Sequence, residues 1–307
     1  MERLLNLPLP ARTRMPPLIV ACLAATWLIW GSTYLAIKWA LVSFPPFYQM
    51  GTRFLVAGAL LAGWMRLRGA PWPKRAEWIN ATLLGTLMLG IGYGFTAVAE
   101  VSVSSGLVVA FIAIGPALQA GLEWPYGVKP TRSAAAGIAL GLLGVLGLAA
   151  GQGFSASPMG LAAVLLASLA WKVGGVWSVY GLPRALGGRQ LNLAPNAMGF
   201  ASQMLAGGVV LMVMSALAAE RPGWPVQPLA LASWVYLVFA GSLVAFSAFM
   251  VLLQRTPAAV SSSYAYVNPL IGLFLGVTLG GETLRLGEWL SAGLVTVSVA
   301  LMLRGQR

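Results

Sequence analysis

Histidine is absent from this 307-residue chain, cysteine occurs once, and only seven residues are acidic. Without histidine the commonest metal ligand and the usual proton shuttle near neutral pH are missing. The lone Cys22, set in an apolar stretch, excludes an intrachain disulfide and any cysteine-cluster metal site. Charge of either sign is scarce. Only 8% of residues are charged against 59% hydrophobic, with mean hydropathy +0.82. A soluble domain carries roughly a quarter charged residues, so a soluble fold is excluded. The charges that remain are lopsided, 19 basic against 7 acidic, for a formal net charge of +12. In a soluble protein that excess would point to nucleic acid. Here the basic residues sit in short loops between apolar runs, where they orient a chain in a bilayer. Neither a nucleic-acid partner nor a cofactor is expected.

What is present is hydrophobic length. A bilayer core about 30 Å thick needs roughly 20 apolar residues per helix, and ten such runs are read along the chain, at 17–38, 46–66, 78–98, 102–123, 133–150, 159–181, 196–217, 231–253, 258–279 and 287–303. The predicted fold is an all-α polytopic membrane protein of ten transmembrane helices. Orientation follows from lysine and arginine in the loops. Arg3, Arg12, Arg14, Arg66, Arg68, Lys74, Arg75, Lys129, Arg132, Arg184, Arg189, Arg255, Arg304 and Arg307 fall on one side, 14 of the 19 basic residues. Arg221 and Arg285 fall on the other, and Lys38, Arg53 and Lys172 lie within or near the ends of spans. Both termini are therefore expected to be cytoplasmic. The N-terminal "RTRMPPLIVACLAATW" has the look of a signal peptide, but its apolar run continues past "ACLAA" and is read as the first helix.

Five spans per half make two homologous halves antiparallel across the membrane. "SSGLVVAFIAIGPALQAGLEWPYGVKPT" (104–131) aligns with "PAAVSSSYAYVNPLIGLFLGVTLGGETL" (257–284), matching Pro116 with Pro269 and Lys129 with Glu282. "EWINATLLGTL" (77–87) aligns with "SWVYLVFAGSL" (233–243), matching Trp78 with Trp234 and Gly85 with Gly241. "IWGSTYLA" (29–36) opens the first half as "AWKVGGVW" (170–177) opens the second. The expected units are 1–152 and 153–307, two inverted five-helix repeats. Inverted repeats place substrate sites near the bilayer midplane, where the halves meet. With "WGSTYLAIK" at 30–38, "PPFYQMGTRFLVAG" at 45–58 and "GGETLRLGEWLSAGLVTVSVAL" at 280–301, the chain resembles the EamA-type branch of the drug/metabolite transporter superfamily, and is similar to bacterial amino-acid and metabolite exporter permeases. The resemblance implies a pseudosymmetric ten-helix bundle in the cytoplasmic (inner) membrane, with a central cavity and alternating access. One departure is local. The acidic turn common after the family's fourth span reads "YGVKPT" here, with Lys129 in place of the acid, and survives only at Glu282 in the second half.

Charges inside spans cost about 3 kcal/mol each at a helix centre and are functional suspects. Lys38 lies near the outer end of span one and can snorkel to the interface. Arg53 sits two turns into span two, and Glu100, just beyond span three, is on the same outer side, so the two are a candidate clamp or external gate. Lys172 is too deep to snorkel. It is expected to face the bundle interior, either satisfied by carbonyls or an internal carboxylate or serving as cationic anchor for a substrate carboxylate. In span nine, Ser261, Tyr264 and Asn268 share one helical face, and Pro269 frees the carbonyl of Ala265, as Pro116 in span four frees that of Ile112; paired hinges are expected there. Trp30, Tyr93, Trp171 and Tyr266 lie away from span ends and are candidate cavity walls, whereas Trp72, Trp124, Trp224 and Trp289 read as interfacial anchors. Gly137, Gly141, Gly144, Gly147 and Gly151 form a stripe for close helix approach, expected to be used within the bundle rather than at a dimer seam.

Together these residues predict a carrier, monomeric or homodimeric, for small amphipathic metabolites. Export of neutral amino acids or related compounds is expected, with Lys172 on the carboxylate and Ser261, Tyr264 and Asn268 as hydrogen-bonding partners. With no acid read at mid-span, the substrate ammonium would fall to proline-freed carbonyls or tyrosine faces. Conventional proton coupling would be absent, leaving facilitated transport, exchange, or a proton cycle on Lys172. Organic anions and lipophilic drugs are the alternative cargoes. An intramembrane enzyme would need a nucleophile–base pair, paired carboxylates or a metal at depth, and the sequence offers none.

Overall fold

The structure, a computed structural model, describes residues 15–103, 108, 111–112, 114–151, 157–256, 258–280 and 286–304. Among these no strand occurs, and the helices follow one another with short connections. They are α1 (Pro17–Ala40), α2 (Pro46–Leu67), α3 (Arg75–Ser102), α4 (Gly115–Glu123), α5 (Arg132–Gly151), α6 (Pro158–Tyr180), α7 (Ala197–Leu217), α8 (Pro228–Arg255), α9 (Tyr264–Gly280, after a single turn at Ala258–Ser261) and α10 (Leu286–Arg304). Proline opens α1, α2, α6 and α8, a position where its missing N–H costs no hydrogen bond and its fixed φ is already helical. At α6 the Ser157 hydroxyl also accepts from the Gly160 amide (3.0 Å), and at α3 Glu77 reaches back to the Lys74 amide (2.7 Å).

Polarity is distributed inside out. Arg53, Gln49, Gln203 and Asn268 are fully buried, while Leu28, Leu143, Leu217 and Leu290 are more than half exposed. That pattern suits a lipid surround, where apolar side chains need no shelter and polar ones do. Among the described residues, five helices (α1, α3, α6, α7 and α8) are by themselves long and apolar enough to cross a bilayer, where ten spans are expected from the sequence. The other runs fall short for visible reasons. α2 carries Gln49, Thr52, Arg53 and Arg66, α4 and α9 are interrupted, and α5 and α10 hold shorter apolar segments, Arg132–Gly147 and Trp289–Ser298. Two boundaries also move. The run at 102–123 is not one helix: the chain turns at Ile114 and α4 starts at Gly115. α3 continues through Ser102, so Glu100 lies inside it rather than beyond it.

The packing has a regular form. α5 pairs with α10 and α2 with α7; α1 packs on α8 and α9, and α6 packs on α3 and α4. Exchanging each helix with the one five places along returns the same set of pairs. The third helix of each half also contains a π-helical stretch, Thr86–Tyr93 in α3 and Leu237–Phe246 in α8. The pairs are close because glycines face backbone. A methyl on Gly85 would lie 2.7 Å from the Gln203 carbonyl oxygen and 2.9 Å from the Gly207 nitrogen on α7. The α5 stripe works the same way, Gly144 meeting Val295 of α10 and Gly141 the Tyr266 ring and Ser298.

Candidate functional site

Helices α1, α3, α4, α6 and α9 converge on a cavity with about 50 Å³ open to the centres of water-sized groups, room for a few waters at roughly 10–15 Å³ apiece. Its apolar wall is an aromatic cluster. Trp30 of α1 meets Trp171 of α6 edge-on at 5.7 Å and Tyr264 of α9 at 4.9 Å, and Tyr93, at the end of the α3 π-helical stretch, meets Trp171 at 5.4 Å. Edge-to-face contacts of this kind hold rings in fixed orientations. The indole N–H groups are spoken for: Trp171 donates to the Tyr264 hydroxyl (2.7 Å) and Trp30 to the Gly241 carbonyl (3.3 Å).

Lys172 stands at the polar end, 4% exposed. Its Nζ donates to Gln119 Oε1 and to Ser262 Oγ, each at 3.2 Å, and lies 5.3 Å from the centre of the Tyr264 ring. Ser262 Oγ also donates to Gln119 Oε1. The aliphatic stem passes close over Gly115, where an added methyl would come within 2.7 Å of Lys172 Cε and oblige the lysine to shift. Among the described residues, every group touching the ammonium is neutral. Two turns along α4 the nearest acid, Glu123, accepts from Gln119 Nε2 (3.1 Å) and so reaches Lys172 only through that amide. Ser168, one turn before Lys172, lines the cavity with a buried hydroxyl that has no hydrogen-bond partner among the described residues.

Of the wall and anchor residues expected from sequence, Trp30, Tyr93, Trp171, Lys172 and Tyr264 line the cavity. Ser261, Tyr266 and Asn268 are buried elsewhere. Tyr266 turns toward α5, its hydroxyl donating to the Ile138 carbonyl (3.4 Å) and its ring resting on Gly141; it belongs to a different apolar cluster. Asn268, with its amide nitrogen donating to the carbonyls of Tyr264 (3.1 Å) and Trp27 (3.3 Å), ties α9 to α1. The two prolines differ in setting. Pro116 is buried in the first turn of α4, where an N–H would have no helical acceptor; Pro269 lies within α9, and its side chain is outside the described residues. The two prolines thus sit at different places in their helices, Pro116 at the start of α4 and Pro269 within α9.

Arg53 and Glu100 do not pair. Arg53 crosses from α2 to the α8 π-helical stretch, where Nε donates to Ser242 Oγ (2.7 Å), and its guanidinium sits 4.9 Å and 5.0 Å from the Phe54 and Tyr93 ring centres. Glu100 is buried in the last turn of α3, at the end of the span and not at its middle, and among the described residues neither carboxylate oxygen has a hydrogen-bond partner. Because a buried charge replaced by an apolar group of similar size is often neutral or stabilising, Arg53→Met should melt in detergent no lower than the parent protein. A loss of about 3 kcal/mol would show instead that the Ser242 bond and the rings outweigh desolvation. Lys38 is exposed at the end of α1, as snorkelling requires.

Sequence reading passed over Gln119, Glu123, Ser262 and Ser168. A signal existed for the first two. Gly115, Gln119 and Glu123 recur every fourth residue on α4, which places them on one face.

The family model described as "EamA-like transporter family" matches this chain twice, over residues 16–150 and 158–304. The inner membrane transporter YedA of Escherichia coli is 36% identical over 94% of this chain and 91% of its own length. Uncharacterized transporters of Synechocystis (26% identical, covering 91% of this chain and 88% of theirs) and Archaeoglobus fulgidus (23%, covering 92% and 97%) are similar along their lengths. A solved crystal structure of a protein 20% identical superposes with a TM-score of 0.70, covering 92% of this chain and 95% of that one, which shows a common fold. None of these names states a substrate.

Proposed function

Since the chain belongs to the EamA-like transporter family of the drug/metabolite transporter superfamily, and is a membrane transporter, we propose that it carries small metabolites bearing a carboxylate, neutral amino acids above all, outward across the inner membrane. Lys172 holds the carboxylate, and the cluster of Trp30, Tyr93 and Trp171 receives the apolar part. One observation carries this reading. A buried ammonium lines a cavity and, among the described residues, touches only neutral groups, so dipoles, a ring face and the more distant Glu123 offset part of its desolvation and an arriving anion would offset more. The unpartnered Ser168 hydroxyl supports a polar occupant beside it.

In this reading the two matched units are inverted, both termini are cytoplasmic, and the cavity at their seam opens alternately to each side. The exchange of packing partners between halves supports that arrangement, because two units related by a pseudo-twofold axis must repeat their contacts. Five helices per unit make the units antiparallel. A carrier of organic anions is the second reading, favoured because none of the described residues lining the cavity is acidic. The test is counterflow. Proteoliposomes preloaded with one unlabelled neutral amino acid are expected to accumulate its labelled form, with protein-free vesicles flat. If no neutral amino acid in a panel exchanges, the first reading fails; if carboxylates without an amine exchange in their place, the second stands.

A further inference from the structure

None of the described residues lining the cavity is acidic, yet an acid stands one side chain behind its cation. Gln119 joins the two. Its Oε1 accepts from Lys172 Nζ (3.2 Å) and from Ser262 Oγ, and its Nε2 donates to Glu123 Oε1 (3.1 Å). All three side chains are nearly inaccessible, Lys172 at 4%, Glu123 at 5% and Gln119 at 6% exposed. The amide's orientation is fixed by its neighbours, because an ammonium only donates and a carboxylate only accepts. The amide thus shows a doubly bonded oxygen to the cation and an NH₂ to the anion. An α-amino acid offers the same groups in the same order: carboxylate oxygens that accept, and an ammonium close by that donates.

We infer that Gln119 occupies the place of a zwitterionic head group, and that a substrate exchanges with it, setting its carboxylate on Lys172 and Ser262 and its ammonium on Glu123. The inference rests on the cavity being the carrier's substrate site. It assigns an ammonium subsite to an acid that the lining does not include, and it makes Glu123 a determinant of specificity. The exchange is favourable on physical grounds. A zwitterion replaces one acceptor–donor pair with another, so neither buried charge loses a partner. A carboxylate without an amine that displaces Gln119 strands Glu123, and an amine without a carboxylate strands Lys172. Leaving a buried charge unpaired is far costlier than failing to make a bond in water, and sites built around such groups reject analogues that lack the complement. Position supports the assignment. Gly115, Gln119 and Glu123 share a face of α4, and Gly115 already borders the cavity, so a rotamer change at Gln119 opens the path to Glu123.

The experiment uses the full chain in proteoliposomes. Inhibition of counterflow is compared for the best-exchanged amino acid of the panel and for the same molecule with its amine replaced by hydrogen. For the unmodified protein the deaminated acid is expected to compete at least about tenfold more weakly. Glu123→Gln should weaken the amino acid, which loses its anionic partner, and strengthen the deaminated analogue, which no longer strands a charge, so that the roughly tenfold gap closes. Gln119→Ala should bind the amino acid no more weakly than the unmodified protein, since the internal competitor is gone, and it decides alone if Glu123→Gln does not yield folded protein. Equal competition by the two molecules in the unmodified protein, equal weakening of both by Glu123→Gln, or weakened amino-acid binding in Gln119→Ala would each overturn the inference with the carrier reading intact. Exchange of neither molecule would remove the carrier reading itself.

Discussion

Lys172→Met is expected to lower amino-acid exchange by at least about two orders of magnitude, because a buried charge pair is worth about 3–5 kcal/mol when one partner is removed. Folding should change far less. Methionine is of similar length and unbranched, Ser262 still donates to Gln119 Oε1, and Glu123 keeps its bond from Gln119 Nε2. Removal of a desolvated ammonium also offsets part of what its hydrogen bonds contributed. The variant should therefore purify monodisperse and melt near the unmodified protein while failing in counterflow. Lys172→Arg is the informative companion. It keeps the charge, but a planar guanidinium is larger than the ammonium and cannot make the same pair of contacts to Gln119 Oε1 and Ser262 Oγ from the same place. Its exchange should fall between the other two. Counterflow by Lys172→Met within about threefold of the unmodified protein, a difference under 1 kcal/mol, would mean the ammonium is structural.

The largest effect on stability should come from Gly85→Leu. The added Cβ would meet the Gln203 carbonyl oxygen at 2.7 Å and the Gly207 nitrogen at 2.9 Å. Both are backbone atoms of α7, so no rotamer change relieves the clash and the two helices must separate. Overpacking costs about 1–3 kcal/mol where side chains can yield; here the cost should sit at or above the upper end, and the consequence reaches the cavity, because α3 carries Tyr93 into it. Gly63→Leu, on α2 and with nothing within 4 Å of the added Cβ, is the matched control and should melt like the parent. Equal melting temperatures for the two variants in detergent would contradict the close approach of α3 to α7.

Much of this architecture is legible in the sequence because it follows from quantities local to each helix. Apolar length marks the spans, proline marks where several begin, and the glycine stripe of α5 marks a close neighbour. Lys172 is legible for the same reason. A charge too deep to snorkel must find an interior, whatever that interior contains. The aromatic wall is readable in part: Trp30, Tyr93, Trp171 and Tyr264 meet, but Tyr266, two residues from Tyr264, is carried round the helix to α5. In the same way it is Ser262, the neighbour of Ser261, that accepts from Lys172 Nζ. A break before α9 rotates the serines relative to the helix that follows, so a face counted along one uninterrupted helix does not survive the turn at Ser262 and Ser263.

The sequence by itself determined that this is a helical membrane protein of its family, with a cation held at depth, because hydrophobic length and the cost of a buried charge need no knowledge of neighbours. Only the tertiary structure decided what that cation faces. Lys172 meets Gln119, 53 residues away in the chain, and Ser262, 90 residues away, while Arg53 finds Ser242 rather than Glu100. Helical periodicity states which residues share a face of one helix; it carries no information on which other helix that face will meet. That is set by packing, here by glycines that let backbones close and by π-helical turns in α3 and α8 that shift the register of the groups beyond them.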